Sequence, residues 1–180
     1  MIKINLGCGW RNFGDDWYHI DGGDYKHLDS HDIFNIPFEN NTVDVIYASH
    51  VIEYFNRQEI IPILKKWKNK LKPGGKLRLA VPDFEAMVKL YLHKGYDVES
   101  FLGPLYGKMP MGDEIIYHKT VYDFKSLKKI LLNIGFNNIN RYDWRDYDIH
   151  IKNDDHSQSY LPKMDKEKGT LISLNIETTK

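Results

Sequence analysis

A chain of 180 residues can fill one hydrophobic core and is too short for two ordinary domains, so a single domain over residues 1–180 is expected. Its 25 lysines and arginines balance 25 aspartates and glutamates, so no bulk field draws it to nucleic acid or to a membrane surface, and neither is expected as a partner. Cys8 is the single cysteine, which excludes an intrachain disulfide or thiolate metal cluster; with no apolar run near the roughly 20 residues of a membrane span and no basic-then-apolar leader, a cytoplasmic protein is expected.

The stretch Ile2-Lys3-Ile4-Asn5-Leu6-Gly7-Cys8-Gly9 is an apolar run that ends in two glycines. It reads as a buried strand delivering a tight loop, a ledge of bare backbone amides at a strand's C-terminal end, where open α/β sheets bind nucleotides. A dinucleotide fingerprint needs a third glycine at position 12, which is Asn12 here, so NAD and FAD are disfavoured. Cys8 reads as a small packing residue in the loop. Trp10 to Tyr18 is aromatic and turn-rich, with room for little more than a turn of helix. Tyr18-His19-Ile20 is a second short strand, and Asp21 at its tip can accept both hydroxyls of a ribose or simply start the turn at Gly22-Gly23.

Residues 24–41 are loops. Within them Asp32 can accept from a purine's exocyclic amine while Ile33 and Phe34 cover the ring; a solvated loop aspartate is the competing reading. Thr42 to His50 is β-branched and nearly continuous in apolarity, as a central parallel strand requires, and its end, Ser49-His50, faces the glycine loop if the two strands are neighbours. Asn56-Arg57-Gln58-Glu59 has the form of a capping box, and Ile60, Ile63, Leu64, Trp67 and Leu71 follow at helical spacing; the lysines between them read as a solvated face. Lys72-Pro73-Gly74-Gly75 stops that helix, and Lys76 to Val81 is a strand.

Asp83 caps a helix over 84–94, yet it also stands on the rim where chemistry would occur. The segment 96–122 is irregular with interleaved apolar residues, which predicts a lid, and Tyr117-His118-Lys119-Thr120 closes it near the rim. Asp123 caps a helix carrying Phe124, Leu127, Ile130, Leu131 and Ile134, ended by Gly135. Residues 136–144 read as a strand, and Thr170 to Glu177 as a final strand antiparallel to it. The connection between them brings Asp154-Asp155-His156-Ser157 to the same rim.

Taken in order, Asn5-Leu6-Gly7-Cys8-Gly9, Asp21, Asp32 before Pro37-Phe38, Val43 to His50, Lys72-Pro73-Gly74-Gly75 and Gly135-Phe136 resemble class I S-adenosylmethionine-dependent methyltransferases over nearly the whole chain. Ser49-His50-Val51-Ile52-Glu53, Val81-Pro82-Asp83-Phe84, His118-Lys119-Thr120 and Ile172 to Glu177 resemble, more closely, a compact bacterial subgroup of predicted small-molecule methyltransferases. The resemblance implies a Rossmann-like α/β sheet, mostly parallel with an antiparallel C-terminal strand, a shortened N-terminal half and a lid at about 96–122. It also implies S-adenosyl-L-methionine as cofactor. Gly7 and Gly9, in a loop that includes Asn5, Leu6 and Cys8, would cradle the methionine portion. Asp21 would hold the ribose, Asp32 and Ile33 the adenine, and Ser49 and His50 the sulfonium side. Two departures stand out: Asn5 replaces the acid common at the end of the first strand, and only 11 residues separate Gly9 from Asp21, where about 20 make a full strand-helix-strand unit. The first helix must be shortened and the third strand is expected to be vestigial.

Methyl transfer from a sulfonium is an in-line displacement that needs alignment and no metal. A hydroxyl acceptor needs a base, for which His118 and His50 lead, followed by Asp83 and His156; each histidine has an alternative as a hydrogen-bonded structural group. The expected acceptor is a small polar metabolite, a sugar or phosphate of surface-glycan biosynthesis by resemblance. A cofactor-binding regulatory or partner subunit without turnover is the rival, and metal hydrolysis at Asp154, Asp155 and His156 a third reading. The charge balance and cysteine count leave the oligomeric state open.

Overall fold

The computed structural model describes residues 1–145 and 158–180. In chain order, β1 (Lys3–Leu6), β2 (Tyr18–Ile20) and β3 (Val43–Ser49) lead to α1 (Ile60–Lys70), β4 (Leu71–Pro82), α2 (Phe84–His93) and α3 (Leu102–Tyr106). The hairpin β5 (Met109–Met111) and β6 (Glu114–Ile116) follows, then α4 (Phe124–Ile134), β7 (Asn137–Arg141), β8 (Tyr160–Leu161), β9 (Thr170–Leu171) and β10 (Ser173–Thr179). Among the described residues the main sheet has the order β2-β1-β3-β4-β10-β7. Neighbours from β2 to β4 are parallel, and β10 runs antiparallel to both β4 and β7, the mostly parallel α/β sheet that the sequence predicts.

One face of the sheet is a conventional helix-covered core. Asn56 Oδ1 accepts the Gln58 and Glu59 amides while Glu59 Oε2 accepts the Asn56 amide, a capping box in the turn that leads into α1. Pro62 is tolerated because first-turn amides have no intrahelical acceptor to lose. Ile60, Ile63, Leu64 and Trp67 of α1 and Leu127, Leu131 and Ile134 of α4 pack on Ile4, Leu6, Ile46, Leu77, Leu79 and Leu174 of the strands. Asp123 and Ser126 form a second capping box, and Gly135 ends α4 at φ 88°, a backbone state that costs glycine nothing.

The opposite face is different. Lys3, Asn5, Val45, Tyr47 and Arg78 are buried there, under side chains delivered by loops. Trp17 and Phe13 pack on Val45 and Tyr47, Lys3 Nζ sits 5.1 Å from the Trp17 ring, and the Arg78 guanidinium lies 4.3 Å from the Tyr142 ring. No residue of this second cluster is helical. The cause is length: parallel crossovers ordinarily need a dozen or more residues and a helix, and the short link from β1 to β2 makes its crossing as turns. Beyond β2 the expected vestigial third strand is reduced to a single bridge between Ile20 and Ser30.

Several boundaries differ from those the sequence predicts. β4 begins at Leu71 rather than Lys76, because residues 72–75 bulge between the pairs Val43–Leu71 and Val45–Lys76, where Lys72 pairs with Asp44. The segment 96–122 is not irregular throughout: it contains α3 and the β5–β6 hairpin. The last strand is broken at Ile172, whose N–H bonds Ser159 O and whose carbonyl accepts Asp83 N–H, so β9 pairs with β8 and β10 with the main sheet. β7 stops at Arg141, short of Trp144.

Trp67 is fully buried between α1 and the sheet and its Nε1 donates to Ile33 O at 3.3 Å. Trp67→Ala is expected to lower the unfolding free energy by about 3–5 kcal/mol, read as a shifted midpoint in urea.

Candidate functional site

The register of the central strands builds the site. Leu6 pairs with Ile20 on one side and Ala48 on the other, so the next residues, Gly7, Asp21 and Ser49, come level at the C-terminal edge of the sheet. All three line a cleft of about 1130 Å³, somewhat above the usual range of small-molecule pockets, roughly 300–1,000 Å³. Gly7 has φ 69°, and a Cβ there would collide with Val51 Cγ2, so the two strand ends approach as closely as only glycine permits.

The sequence reading of the loop as a ledge of available amides needs correction. Gly7 and Cys8 N–H both donate to Ile20 O, and Gly9 N–H donates to Asp21 Oδ2 at 2.8 Å. What the loop presents is bare Cα surface, its amides being spent within the fold. Asp21 is buried and clamps two loops, since its Oδ1 also accepts Gly23 N–H at 2.7 Å. A carboxylate has about four acceptor sites, so these two bonds leave capacity toward the cleft.

Around this floor stand three walls. Ile33 and Phe34 form one, with Phe34 edge-on to Phe55 at 5.7 Å. Trp10 and Arg11 rise beside Gly9. The β5–β6 hairpin makes the third: Met109, Met111, Ile115 and Ile116 face the cleft, and Met111 Sδ lies 3.0 Å from where a Cβ on Gly22 would be. The predicted lid is therefore a hairpin seated against the loop after β2.

His50 stands at the end of β3 with φ 55°, a left-handed conformation uncommon for a non-glycine residue. Its amide donates to Ala80 O at 2.8 Å. Its ring is held at both nitrogens, Nδ1 2.9 Å from Glu53 Oε1 and Nε2 3.0 Å from Ser173 Oγ. Ser173 Oγ also accepts Ser159 N–H at 2.9 Å, and Ser159 lines the cleft with His50. Glu53 is fully buried. Sequence reading quotes it only as the end of the Ser49 to Glu53 stretch and gives it no role, although a carboxylate after Val51-Ile52 is the kind of buried charge that needs a partner. Ser173 had no such local signal, lying 123 positions from His50.

The other sequence-predicted residues divide plainly. Gly7, Gly9, Asp21, Ile33, Ser49 and His50 line the cleft. Leu6 points into the core, and Asn5 lies on the loop-covered face with its Nδ2 donating to Arg11 O at 3.4 Å. Cys8 is buried, and burial together with the Asp21 charge pushes its thiol up to about 12, which leaves no thiolate to react. Asp32 is exposed and turned into its own loop, accepting the Phe34 and Asn35 amides and the Asn35 side chain. Asp83 is consumed as the α2 cap and by Arg141 Nη1 at 2.9 Å, in a separate groove of about 620 Å³.

His118 lies behind the cleft wall: Nδ1–H donates to Pro104 O at 2.9 Å, Nε2 is 3.9 Å from Glu53 Oε1, and the ring meets Tyr54 edge-on at 4.7 Å. Burial lowers its pKa below the usual 6.5 despite the Glu53 charge. Burial, with the same carboxylate adding to it, pushes Tyr54, on the cleft wall, up to about 12. His156, with Asp154 and Asp155, lies outside the described residues. Among the described residues no cluster of three metal-ligating side chains exists, and no helix is long and apolar enough to cross a membrane.

Residues 19–79 match the family described as methyltransferase domain. A demethylmenaquinone methyltransferase of Staphylococcus haemolyticus is 28% identical over 125 residues, which span 63% of this chain and 48% of that protein, so the match covers about half of its length. An S-adenosylmethionine-dependent methyltransferase of Methanosarcina mazei superimposes with a TM-score of 0.58 at 16% identity, over 99% of this chain and 91% of that one. A Thermotoga maritima methyltransferase, described as a possible histamine N-methyltransferase, gives 0.61 at 13% identity, over 99% and 81%. At these identities the solved structures establish the fold.

His118 and His19 both have pKa values lowered chiefly by burial, and His19 Nε2 accepts Phe13 N–H, a bond that protonation would break. The unfolded chain therefore binds more protons than the folded one just below the usual value of 6.5. Their contribution to stability is present above that pH and lost as the pH falls. The melting temperature is expected to drop between about pH 7.5 and about pH 5.5, and to drop less in His118→Asn.

Proposed function

We propose that this class I, S-adenosylmethionine-dependent methyltransferase domain methylates a hydroxyl of a small acceptor, with His50 taking the acceptor's proton. The observation that carries the reading is the level row of Gly7, Asp21 and Ser49 at the ends of adjacent parallel strands, with His50 beside it and a hairpin above. The residues fit the donor. Bare backbone at Gly7 and Gly9 admits the methionine portion, with Arg11 as the positive charge for its carboxylate. Asp21 keeps acceptor capacity for ribose hydroxyls, and Ile33 and Phe34 offer apolar cover to the base. When bound, S-adenosylmethionine supplies a methyl carbon on a positively charged sulfur, which leaves with the bonding pair as the acceptor oxygen bonds to carbon.

The chain's own work is positional and proton-handling. The β5–β6 hairpin walls one side of the cleft with apolar side chains, and Ser49 and His50 border the reacting end. The acceptor's hydroxyl proton reaches His50 by way of Ser173 Oγ, which gives its own proton to Nε2 as it takes the acceptor's, and a histidine suits the role of final base near neutral pH. Tyr54 and Tyr117 give flat faces, and Ser159 and Lys119 polar edges, to a ring that carries hydroxyls, which supports a sugar or related small polar metabolite of surface-glycan biosynthesis. A more apolar ring, such as the demethylmenaquinone named for the Staphylococcus haemolyticus relative, draws support from Met109, Met111, Ile115 and Ile116.

Calorimetry should detect uptake of S-adenosylhomocysteine by the folded protein, and Asp21→Ala should weaken it about 10- to 100-fold, the scale of lost charge-assisted hydrogen bonds. No uptake by well-folded wild type would sink the proposal. Formation of S-adenosylhomocysteine over a panel of sugars, sugar phosphates and quinols identifies the acceptor class. On the acceptor so found, His50→Gln should lower kcat about 10²- to 10⁴-fold while the product affinity changes less than about threefold.

A further inference from the structure

Glu53 is fully buried and has one carboxylate oxygen committed: Oε1 is 2.9 Å from His50 Nδ1 and 3.9 Å from His118 Nε2. Its second oxygen, Oε2, is buried without a hydrogen-bond partner. A buried carboxylate so arranged needs an explanation, because desolvation without full satisfaction is costly and such groups cluster where they serve chemistry. Donor and acceptor rules supply one. The amide of Ser159 can only donate, so Ser173 Oγ accepts from it at 2.9 Å and has its own proton to give to His50 Nε2 at 3.0 Å. A hydroxyl, with one proton and two acceptor sites, can serve Nε2 either way, whereas a carboxylate only accepts; Glu53 Oε1 therefore makes Nδ1 the protonated nitrogen and leaves Nε2 to take the Ser173 proton. Pro104 O likewise obliges His118 to carry its proton on Nδ1, so His118 brings a lone pair, not a proton, toward Glu53. Of the two rings around the carboxylate, only that of His50 can donate to it.

The geometry points to Glu53 as the positioning residue of this enzyme's base. It holds His50 as the Nδ1–H tautomer in a left-handed backbone, so that the basic Nε2 is presented to the Ser173 hydroxyl. Its charge offsets the imidazolium formed when Nε2 takes the Ser173 proton and Ser173 takes the acceptor's; no other bond is made or broken at Glu53. The groups that face the carboxylate are His50, His118, Tyr54 and Tyr122, of which the two tyrosines are pushed up by burial and by the Glu53 charge. This inference rests on the reading of His50 as the acceptor's base.

Long-range proton–nitrogen NMR of the full chain, with the His50 signals assigned by loss in His50→Gln, reads the tautomer without any acceptor. At about pH 8, where histidine is ordinarily neutral, His50 in the wild type should carry its proton on Nδ1. In Glu53→Leu it should move to Nε2, and in Ser173→Ala it should stay on Nδ1. Should Glu53→Leu fail to fold, the wild-type spectrum still decides, because a proton on Nε2 there means that Glu53 is the donor, and the proposal is overturned.

Glu53→Gln keeps the shape and an acceptor oxygen but not the charge. With the acceptor found for the wild type it should lose about tenfold or more in kcat at unchanged KM, the low end of what general-base assistance contributes. Unchanged kcat would make Glu53 a packing group. S-adenosylhomocysteine calorimetry on the same samples separates the two readings: absent uptake by the wild type sinks the methyltransferase reading, whereas a wrong tautomer sinks this one alone.

Discussion

The close approach of Gly7 to Val51 at the ends of β1 and β3 is the constraint on which the site depends. Parallel strands in register bring successive residues level, and a side chain at position 7 would force the two ends apart. With none there, the chain leaves β1 and turns back at once. The cleft opens between the strand ends, and Asp21 and Ser49 fall on its floor for no reason other than register. The clamp of Asp21 on the Gly9 and Gly23 amides then does locally what a longer helical crossover does elsewhere: it fixes the loop after β1 relative to the loop after β2.

That substitution matters because, among the described residues, no helix contributes to the cluster on the other face. The face beneath α1 and α4 is apolar and densely packed, whereas the other face buries lysine, asparagine, tyrosine and arginine under aromatic loop residues. Burying such groups is tolerable only when their charges and donors are paired. Glu177 with Arg78, and Trp17 with Lys3, supply those pairings. A helix dipole aimed at the cleft from the β1–β2 link is absent among the described residues, so what the N-terminal half offers the cleft is its shape, the Asp21 carboxylate and Arg11.

The acidic side chains show how tertiary context decides chemistry. Asp32, Asp83 and Asp123 all stand where a carboxylate is attractive in sequence, and all are occupied by amides of a turn or helix start. Glu53 is the reverse: inconspicuous in sequence, it is buried against two histidines. The left-handed backbone of His50 costs about 1–3 kcal/mol in such a residue and persists only because its amide, both ring nitrogens and the neighbouring strand hold it.

The amino-acid sequence by itself determined the order of the main-sheet strands along the chain, the parallel centre, the helix starts at Asn56 and Asp123, and the placing of Gly7, Gly9, Asp21, Ser49 and His50 at strand ends around one cleft. These follow from local rules: apolar periodicity, glycine where the chain must turn tightly, and polar residues at strand ends. It misread the ledge of amides, and it left Asp32, Asp83 and His118 between a site role and a structural one, because whether a polar group is available depends on partners that local spacing does not specify. Only the tertiary structure decided that Ser173 meets His50 across 123 positions and that Glu53 lies between two imidazoles. Such contacts are set by strand order and register, which join residues by distance in space, and a linear pattern carries no record of that distance.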